Sequence, residues 1–437
     1  MKAYQDVLTS VPGVSAWVLR RSRSTQHQRY LLHDRPECER TVEETTLTVT
    51  VFNQHEGGQG EASFTLFGAD APLARSQVED AVFMASLQSN PAYALPEPAP
   101  MPAVEIRDPE LSGDHRRVLD GIQERCFAAM AQEASAAGQP ARLSAVEIFL
   151  DRIESEILTS AGVGASKEET SLLFDIVVLA RDGDRESESH GEYNGRRLAQ
   201  LNVEETVARH CRFARDTLKA ELPATRKGPV VLTAGTFVPL LTPFKFATAG
   251  ASLYRKMSPL VVGQPVLGDR PVTGDGLTLA SDATLPFGVE STPFDQEGLA
   301  LKSTGVIDAG VFRAVAASKQ YAEYLGVAAT GSWHNAVLKP GSTSLDELLD
   351  ASTGPLYHIV DFSWLNPDTI RGSFSTEIRL AYEITPSGTR PIKGGSFAGN
   401  VYDAFATAHF AREMELRGDY HGPVGIRFEA LQVTGSA

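Results

Sequence analysis

Cysteine is scarce in this chain: Cys38, Cys126 and Cys211 stand far apart, with no CxxC pair among them. Three such thiols make no disulfide framework, so a reducing compartment is expected. Cys126 and Cys211, in helix-like stretches, read as small core residues. Long apolar runs are also missing. None approaches the ~18 residues that span a bilayer, and the opening MKAYQDVLTSVPG has no signal-type apolar segment, which points to a cytoplasmic protein without membrane contact. Positive charge is in deficit: 40 Lys+Arg against 55 Asp+Glu leave a formal charge of −15, a surface that repels nucleic-acid phosphates and anionic lipid. The one basic run, Arg20-Arg21-Ser22-Arg23, is short, is followed by the acidic stretch Glu37 to Glu44, and reads as a solvated loop.

The familiar catalytic signatures are lacking as well. There is no GxGxxG after a strand, no GxxxxGK[ST] phosphate loop and no HExxH. His55-Glu56 has no second histidine at zinc-helix spacing and sits among glycines, and no two histidines lie four apart, so no helix presents a pair of imidazoles. In Gly394-Gly395-Ser396-Phe397-Ala398-Gly399 the serine is displaced by one residue from a nucleophile elbow. His190 falls in a charged hairpin, Arg181 to Gly195, where a ligand role is not expected.

What is present fits a folded α+β chain of 437 residues, long enough for two domains. Residues 16–68 read as strands: Thr46 to Phe52 and Glu61 to Phe67 alternate polar and apolar around the glycine-rich turn Asn53 to Gly60. Helices are expected over Leu73–Leu87, Asp114–Glu133 and Val203–Leu222, the last with Val207, Cys211, Ala214 and Leu218 on its inner face. The proline-rich stretch 91–109 reads as an extended connector within the first domain. Strands return at Ala145–Leu150 and Phe174–Ala180. This gives an N-terminal domain, 1–224, of antiparallel strands with packed helices. From about 225 to 437 dense Gly and Pro punctuation with little helical periodicity predicts a mainly-β C-terminal domain, with strands such as Val230–Ala234, Ser373–Ile384 and Gly425–Val433.

Four strings in the second half stand out: Gly250-Ala251-Ser252-Leu253-Tyr254-Arg255-Lys256, Ser291-Thr292-Pro293-Phe294-Asp295-Gln296-Glu297-Gly298, Ala329-Thr330-Gly331-Ser332-Trp333-His334-Asn335, and Pro391-Ile392-Lys393-Gly394-Gly395 through Asn400. In this order and spacing they resemble the TldD/PmbA family, in its PmbA (TldE) branch. The resemblance implies a heterodimeric peptidase in which a TldD-type chain carries a HExxxH helix and a downstream cysteine that bind zinc. Counted back from Arg255-Lys256, the HExxxH positions fall on Thr242, Pro243 and Ala247, which can neither ligate zinc nor act as base, and Pro243 is awkward inside a helix. The tail from Tyr420 to Ala437 has no cysteine. The expectation is therefore no cofactor in this chain, zinc on a TldD-like partner, and a peptide or peptide-like substrate, with a homodimer as the other assembly.

Within the chain, Asp295, Glu297 and His334 are the catalytic candidates. Asp295 and Glu297 would share one side of a strand as an acid/base pair, against a turn-stabilising role for Asp295 after Pro293. Tyr254, Arg255, Lys256, His334, Asn335, Arg371, Ser373 and Lys393 are the expected substrate contacts, and the strand entered at Arg371-Gly372-Ser373-Phe374 would offer an edge to an extended peptide. Two other functions fit the same residues: a stand-alone or homodimeric amide hydrolase that tailors metabolites, and a non-catalytic binding or scaffold protein.

Overall fold

The computed structural model describes residues 2–68, 72–136, 141–352 and 354–435. The alternating N-terminal segments form one antiparallel sheet of β1 (Ala16–Leu32), β2 (Arg35–His55), β3 (Gly58–Phe67), β4 (Ala141–Thr159), β5 (Gly164–Asp182) and β6 (Arg185–Gly195), in the order β3-β2-β1-β4-β5-β6. The basic run Arg20–Arg23 is part of β1 rather than a loop. Pairing on both sides, with β2 and β4, divides its charges between the two faces of the sheet, Arg20 on one and Arg21 and Arg23 on the other.

One face of the sheet is covered twice. Leu47, Val49 and Val51 pack under α1 (Lys2–Ser10) and α2 (Arg75–Ser86). Gly60 permits the close approach of α2, because a Cβ there would run into the Ala85 carbonyl oxygen. Further along, α3 (His115–Ala136) and α4 (Val203–Lys219) cover β4 and β5. Asn202 caps α4 by accepting from the Glu205 N–H at 3.2 Å, and Val207, Cys211, Ala214 and Leu218 are buried. Burial pushes the Cys126 and Cys211 thiols up to about 12, as expected of core residues.

The C-terminal part is rich in strands, as expected. β7 (Arg226–Thr233), β12 (Leu356–Phe362), β13 (Ser373–Thr385), β15 (Ser396–Asn400) and β19 (Gly425–Thr434) close on themselves, since β12 pairs with both β7 and β13. β14 (Gly388–Ile392) and β16 (His409–Phe410) attach to this ring. A second sheet runs β10 (Val311–Phe312), β9 (Ser303–Asp308), β8 (Leu279–Asp282), β11 (Asn335–Leu338), β18 (Tyr420–Pro423) and β17 (Met414–Arg417).

Between β7 and β8 the chain coils into α5 (Ala234–Phe237), a 3-10 turn (Val238–Leu241), α6 (Thr242–Ala247) and α7 (Gly250–Tyr254), where no helix was expected. Their stability comes from packing: Phe237, Leu240, Leu241 and Phe244 are fully buried in the main C-terminal core. Pro243 is not awkward there, because it occupies the first turn of α6, where its missing N–H has no intrahelical partner to lose. The remaining helices are α8 (Lys319–Leu325), α9 (Leu345–Leu348) and α10 (Val401–Phe405).

Candidate functional site

The uncovered face of the N-terminal sheet meets the C-terminal part across a small apolar seam of Val18, Phe52, Tyr93, Leu95, Ile157 and Phe294. Beside this seam lies a cavity of about 740 Å³. Arg20, Ser22, Thr46 and Thr48 form its sheet wall, Lys167, Glu169 and Arg196 one flank, and the loop Val289–Glu297 with Ser332 and His334 the opposite wall. Asp295, Glu297 and His334 thus converge on one space, although they do not share a strand.

Asp295 and Glu297 lie in a tight turn. The Asp295 carboxylate accepts from the Glu297 and Leu299 N–H groups through Oδ1, each at 2.9 Å, which is the turn-stabilising role. Burial raises its pKa, and those backbone bonds oppose the rise. The Glu297 side chain accepts from the Tyr93 hydroxyl at 2.5 Å through Oε1, while Oε2 is shut off from solvent with no partner among the described residues. Burial pushes the Glu297 carboxyl up to about 7, helped by the nearby charges of Asp295 and Glu61 and opposed by Tyr93 and Lys319.

Tyr93 belongs to the proline-rich stretch, which is extended as expected and strapped to α8: the Tyr324 hydroxyl donates to the Pro91 carbonyl at 2.7 Å, and the Ala94 N–H to Glu323 at 3.2 Å.

His334 follows Gly331, whose φ of +86° sets the loop. Its Nδ1 lies 3.1 Å from the Glu290 carbonyl oxygen, so Nδ1 carries the proton. Burial lowers the His334 pKa, which favours the neutral ring. Nε2 is then an unprotonated acceptor, buried and without a partner among the described residues. Arg20 Nε is likewise shut off from solvent and without a partner among the described residues, its guanidinium desolvated and steadied by Asp295 and Glu297.

The other cations here are committed elsewhere. Arg196 donates to the Gly288 and Val289 carbonyls at 2.9 and 2.6 Å and to Glu169 at 2.9 Å; Lys167 also pairs with Glu169, and Arg21 with Glu156.

Asn335, expected to touch substrate, is fully buried behind this wall. It accepts from the Glu290 N–H and donates to the Asp282 carbonyl and Ser291 hydroxyl, holding the loop in place. The other expected contacts do not reach the cavity. Tyr254 packs on Tyr321 and Tyr324, Arg255 donates to the Tyr321 hydroxyl at 3.0 Å, and Lys256 takes a left-handed φ of +57° at the end of α7. Lys393 lines a different cavity, of about 530 Å³, with Glu221, Asp361 and Arg379.

Arg371 and Ser373 enter β13, which is an interior strand over most of its length. β15 pairs with Ser373–Glu377, β12 with Ile378–Ile384 and β14 with Ala381–Thr385, and the Ser373 and Glu377 carbonyls accept from the Asp368 and Ser363 N–H groups at 2.8 and 3.1 Å, so little of the strand is open to peptide addition. His190 is half exposed and bonded to Asp175 at 2.6 Å.

Thr242, Pro243 and Ala247 lie on α6, and Ala247 faces a third, mostly apolar cavity with Met257, Val261 and Tyr402. These residues do not fit a zinc ion: a hydroxyl, a ring without a donor atom and a methyl stand where the resemblance expects two imidazoles and a carboxylate. Among the described residues no group of three or more His, Cys, Asp or Glu is arranged to hold a metal.

Sequence reasoning missed Arg20, Tyr93, Arg196 and Glu290. For Arg20 the signal was available, since Val18, Arg20 and Ser22 continue a strand alternation; Tyr93 and Arg196 carried none, because only the tertiary fold brings them to the cavity.

Residues 225–435 match the PmbA/TldA metallopeptidase C-terminal domain. Metalloprotease PmbA of Escherichia coli O157:H7 is 27% identical over 240 residues, 53% of this chain and 51% of that protein. An uncharacterised protein of Methanocaldococcus jannaschii is 24% identical over 281 residues, 62% of this chain and 64% of its own length. The chain thus spans between half and two-thirds of these relatives. Among solved structures, TldE from Thermococcus kodakarensis superposes with a TM-score of 0.81 at 16% identity, covering 99% of this chain and 100% of its own. A Thermotoga maritima protein described as a candidate modulator of DNA gyrase gives 0.82 at 17% identity, with 99% of each chain covered. At these identities the two structures establish a shared fold.

Proposed function

The chain belongs to the TldD/PmbA family, its C-terminal domain matching the family's and its whole length sharing the fold, and from that premise we propose that it is a TldE-like subunit of a metallopeptidase. In this reading it carries no zinc of its own and pairs with a TldD-like chain that supplies the metal, completing a cavity for a peptide or peptide-like substrate in the cytoplasm. The observation that supports the proposal is α6: Thr242, Pro243 and Ala247, where the resemblance expects the metal-binding motif, lie on a short helix and offer no ligand. No helix among the described residues is long and apolar enough to cross a membrane.

Two experiments test it. Co-purification from the native cell with metal analysis is expected to give one zinc per heterodimer and none in this chain alone. Mixing purified chains is expected to raise peptidase activity above that of the TldD-like partner, and activity unchanged by this chain refutes the pairing.

A second reading, hydrolysis of an amide by this chain alone, draws on the convergence of Asp295, Glu297 and the Nε2 lone pair of His334. It requires activity of the isolated chain that chelators do not affect and that Asp295→Asn abolishes.

A further inference from the structure

The cavity at the end of α6 differs from the interdomain one in what lines it. Its walls are apolar: Ala247 from α6, Met257, Leu260 and Val261 from the segment after α7, and Ile370 and Tyr402. Met257, Val261 and Ile370 leave 41, 62 and 53% of their surface open to water, which burial against an apolar guest would relieve. Large apolar side chains standing open around one concavity, rather than scattered singly, mark a binding place. The charged residues of the lining are Asp269, exposed to solvent, and Arg270. Arg270 is committed: it donates to the Asp403 carboxylate at 2.6 Å and to the Leu267 carbonyl at 3.1 Å, and its guanidinium lies 5.7 Å from the centre of the Tyr402 ring. A charged guest would lose hydration against these walls without gaining a partner, and an apolar one would not.

The shape is set before any guest arrives. The Met257 N–H donates to the Ser252 carbonyl at 2.8 Å, the Gly263 N–H to Phe312 at 2.8 Å and the Val266 N–H to Gly310 at 2.9 Å, which fastens one wall to α7 and β10. The Asp368 carboxylate accepts from the Ile370 N–H at 2.9 Å and fixes the turn that presents Ile370. Leu260 and Tyr402 rest on the main C-terminal core, with the Tyr402 ring edge-on to Phe244 at 5.5 Å. A preformed cavity of this kind spends little on ordering itself when it binds.

Size selects the occupant. A stable contact between subunits spreads over about 800 Å² on each partner. A concavity of about 390 Å³ stands at the small end of ligand sites and takes a single bulky group. We infer that it binds one aromatic or branched aliphatic side chain of a peptide or peptide-like substrate. On the reading of the chain as a peptidase subunit, on which this rests, the end of α6 grips an apolar residue of the substrate and so helps to choose it.

Isothermal titration calorimetry of the isolated full chain with capped amino acids tests the cavity without partner or metal, so its failure is distinct from failure of the pairing. N-acetyl-L-phenylalaninamide and N-acetyl-L-leucinamide are expected to bind at least about fivefold more tightly than N-acetyl-L-alaninamide or N-acetyl-L-lysinamide. Val261→Asp, at an exposed position, is expected to weaken the phenylalanine compound at least about fivefold, and Ile370→Asp gives the same reading if the first variant does not fold. No binding of either apolar compound up to about 20 mM, a smaller preference, or a smaller loss in the folded variant overturns the inference. Benzyl alcohol bound as tightly as the phenylalanine compound marks a site for free apolar molecules and also overturns it. So does a dimer of this chain, seen by light scattering, that Val261→Asp dissociates, since the apolar walls then serve self-association.

Discussion

Replacing Glu297 by Gln isolates the cost of burying one carboxylate. In the folded chain burial moves its pKa from the ordinary 4.5 to about 7, so ionisation is easier in the unfolded chain than in the folded one. The sign follows: the folded state gains relative stability from the protonated carboxyl below about 4.5 and loses it as pH rises through about 7. The step corresponds to up to about 3 kcal/mol. Glutamine cannot ionise and keeps an oxygen that accepts from Tyr93. The variant and the parent are therefore expected to unfold at similar temperatures near pH 4.5 and to diverge by pH 8, with Glu297→Gln the more stable. Thermal unfolding followed by fluorescence at half-unit pH steps reads this directly. A difference that stays flat across the range refutes the buried-carboxylate argument, and a variant less stable at pH 8 refutes its sign.

Other positions give sharper local readings. Tyr93→Phe removes the hydroxyl that the Glu297 carboxylate accepts from and is expected to cost about 1–2 kcal/mol at pH 8 by denaturant unfolding, and less at pH 5. Asn335→Ala leaves the Glu290 N–H and the Asp282 carbonyl unpartnered in a fully buried position, for an expected loss of about 2–4 kcal/mol. Asp295→Asn keeps the Oδ1 acceptor of the turn and is expected to melt near the parent, whereas Asp295→Ala loses both backbone bonds and melts lower; equal melting of the two refutes the turn role. Gly60→Ala drives a methyl into the Ala85 carbonyl and is expected to cost about 3 kcal/mol, seen first as faster amide exchange in α2.

Where one periodic face decides the structure, the sequence could be read. Val207, Cys211, Ala214 and Leu218 mark the buried side of α4, and Leu47, Val49 and Val51 that of β2. The α+β character followed from such segments. The coils between β7 and β8 were hidden because Gly, Thr and Pro give them weak helical preference, and only contact with the surrounding core makes them helical. At the cavity, Asp295, Glu297 and His334 were visible as chemically apt residues, but their convergence was not. Arg20, Tyr93 and Arg196 lie far upstream and reach the same space through sheet register and the strap. Asn335 shows the converse: beside a candidate histidine it looked like a contact, yet its three hydrogen bonds face inward.

The closed ring of the C-terminal part has a consequence for how the protein is made. β7 is the first of its strands to leave the ribosome and β19 the last, yet the two are hydrogen-bonded neighbours from Gly425 opposite Thr233 to Val433 opposite Arg226. Throughout synthesis β7 must therefore wait with one edge bare, and the barrel can shut only after its final strand has emerged. The N-terminal sheet, by contrast, completes itself with β6 well before that moment. A nascent chain thus carries a finished platform attached to an open, sticky ring, and its exposure to misassembly lasts until β19 has emerged.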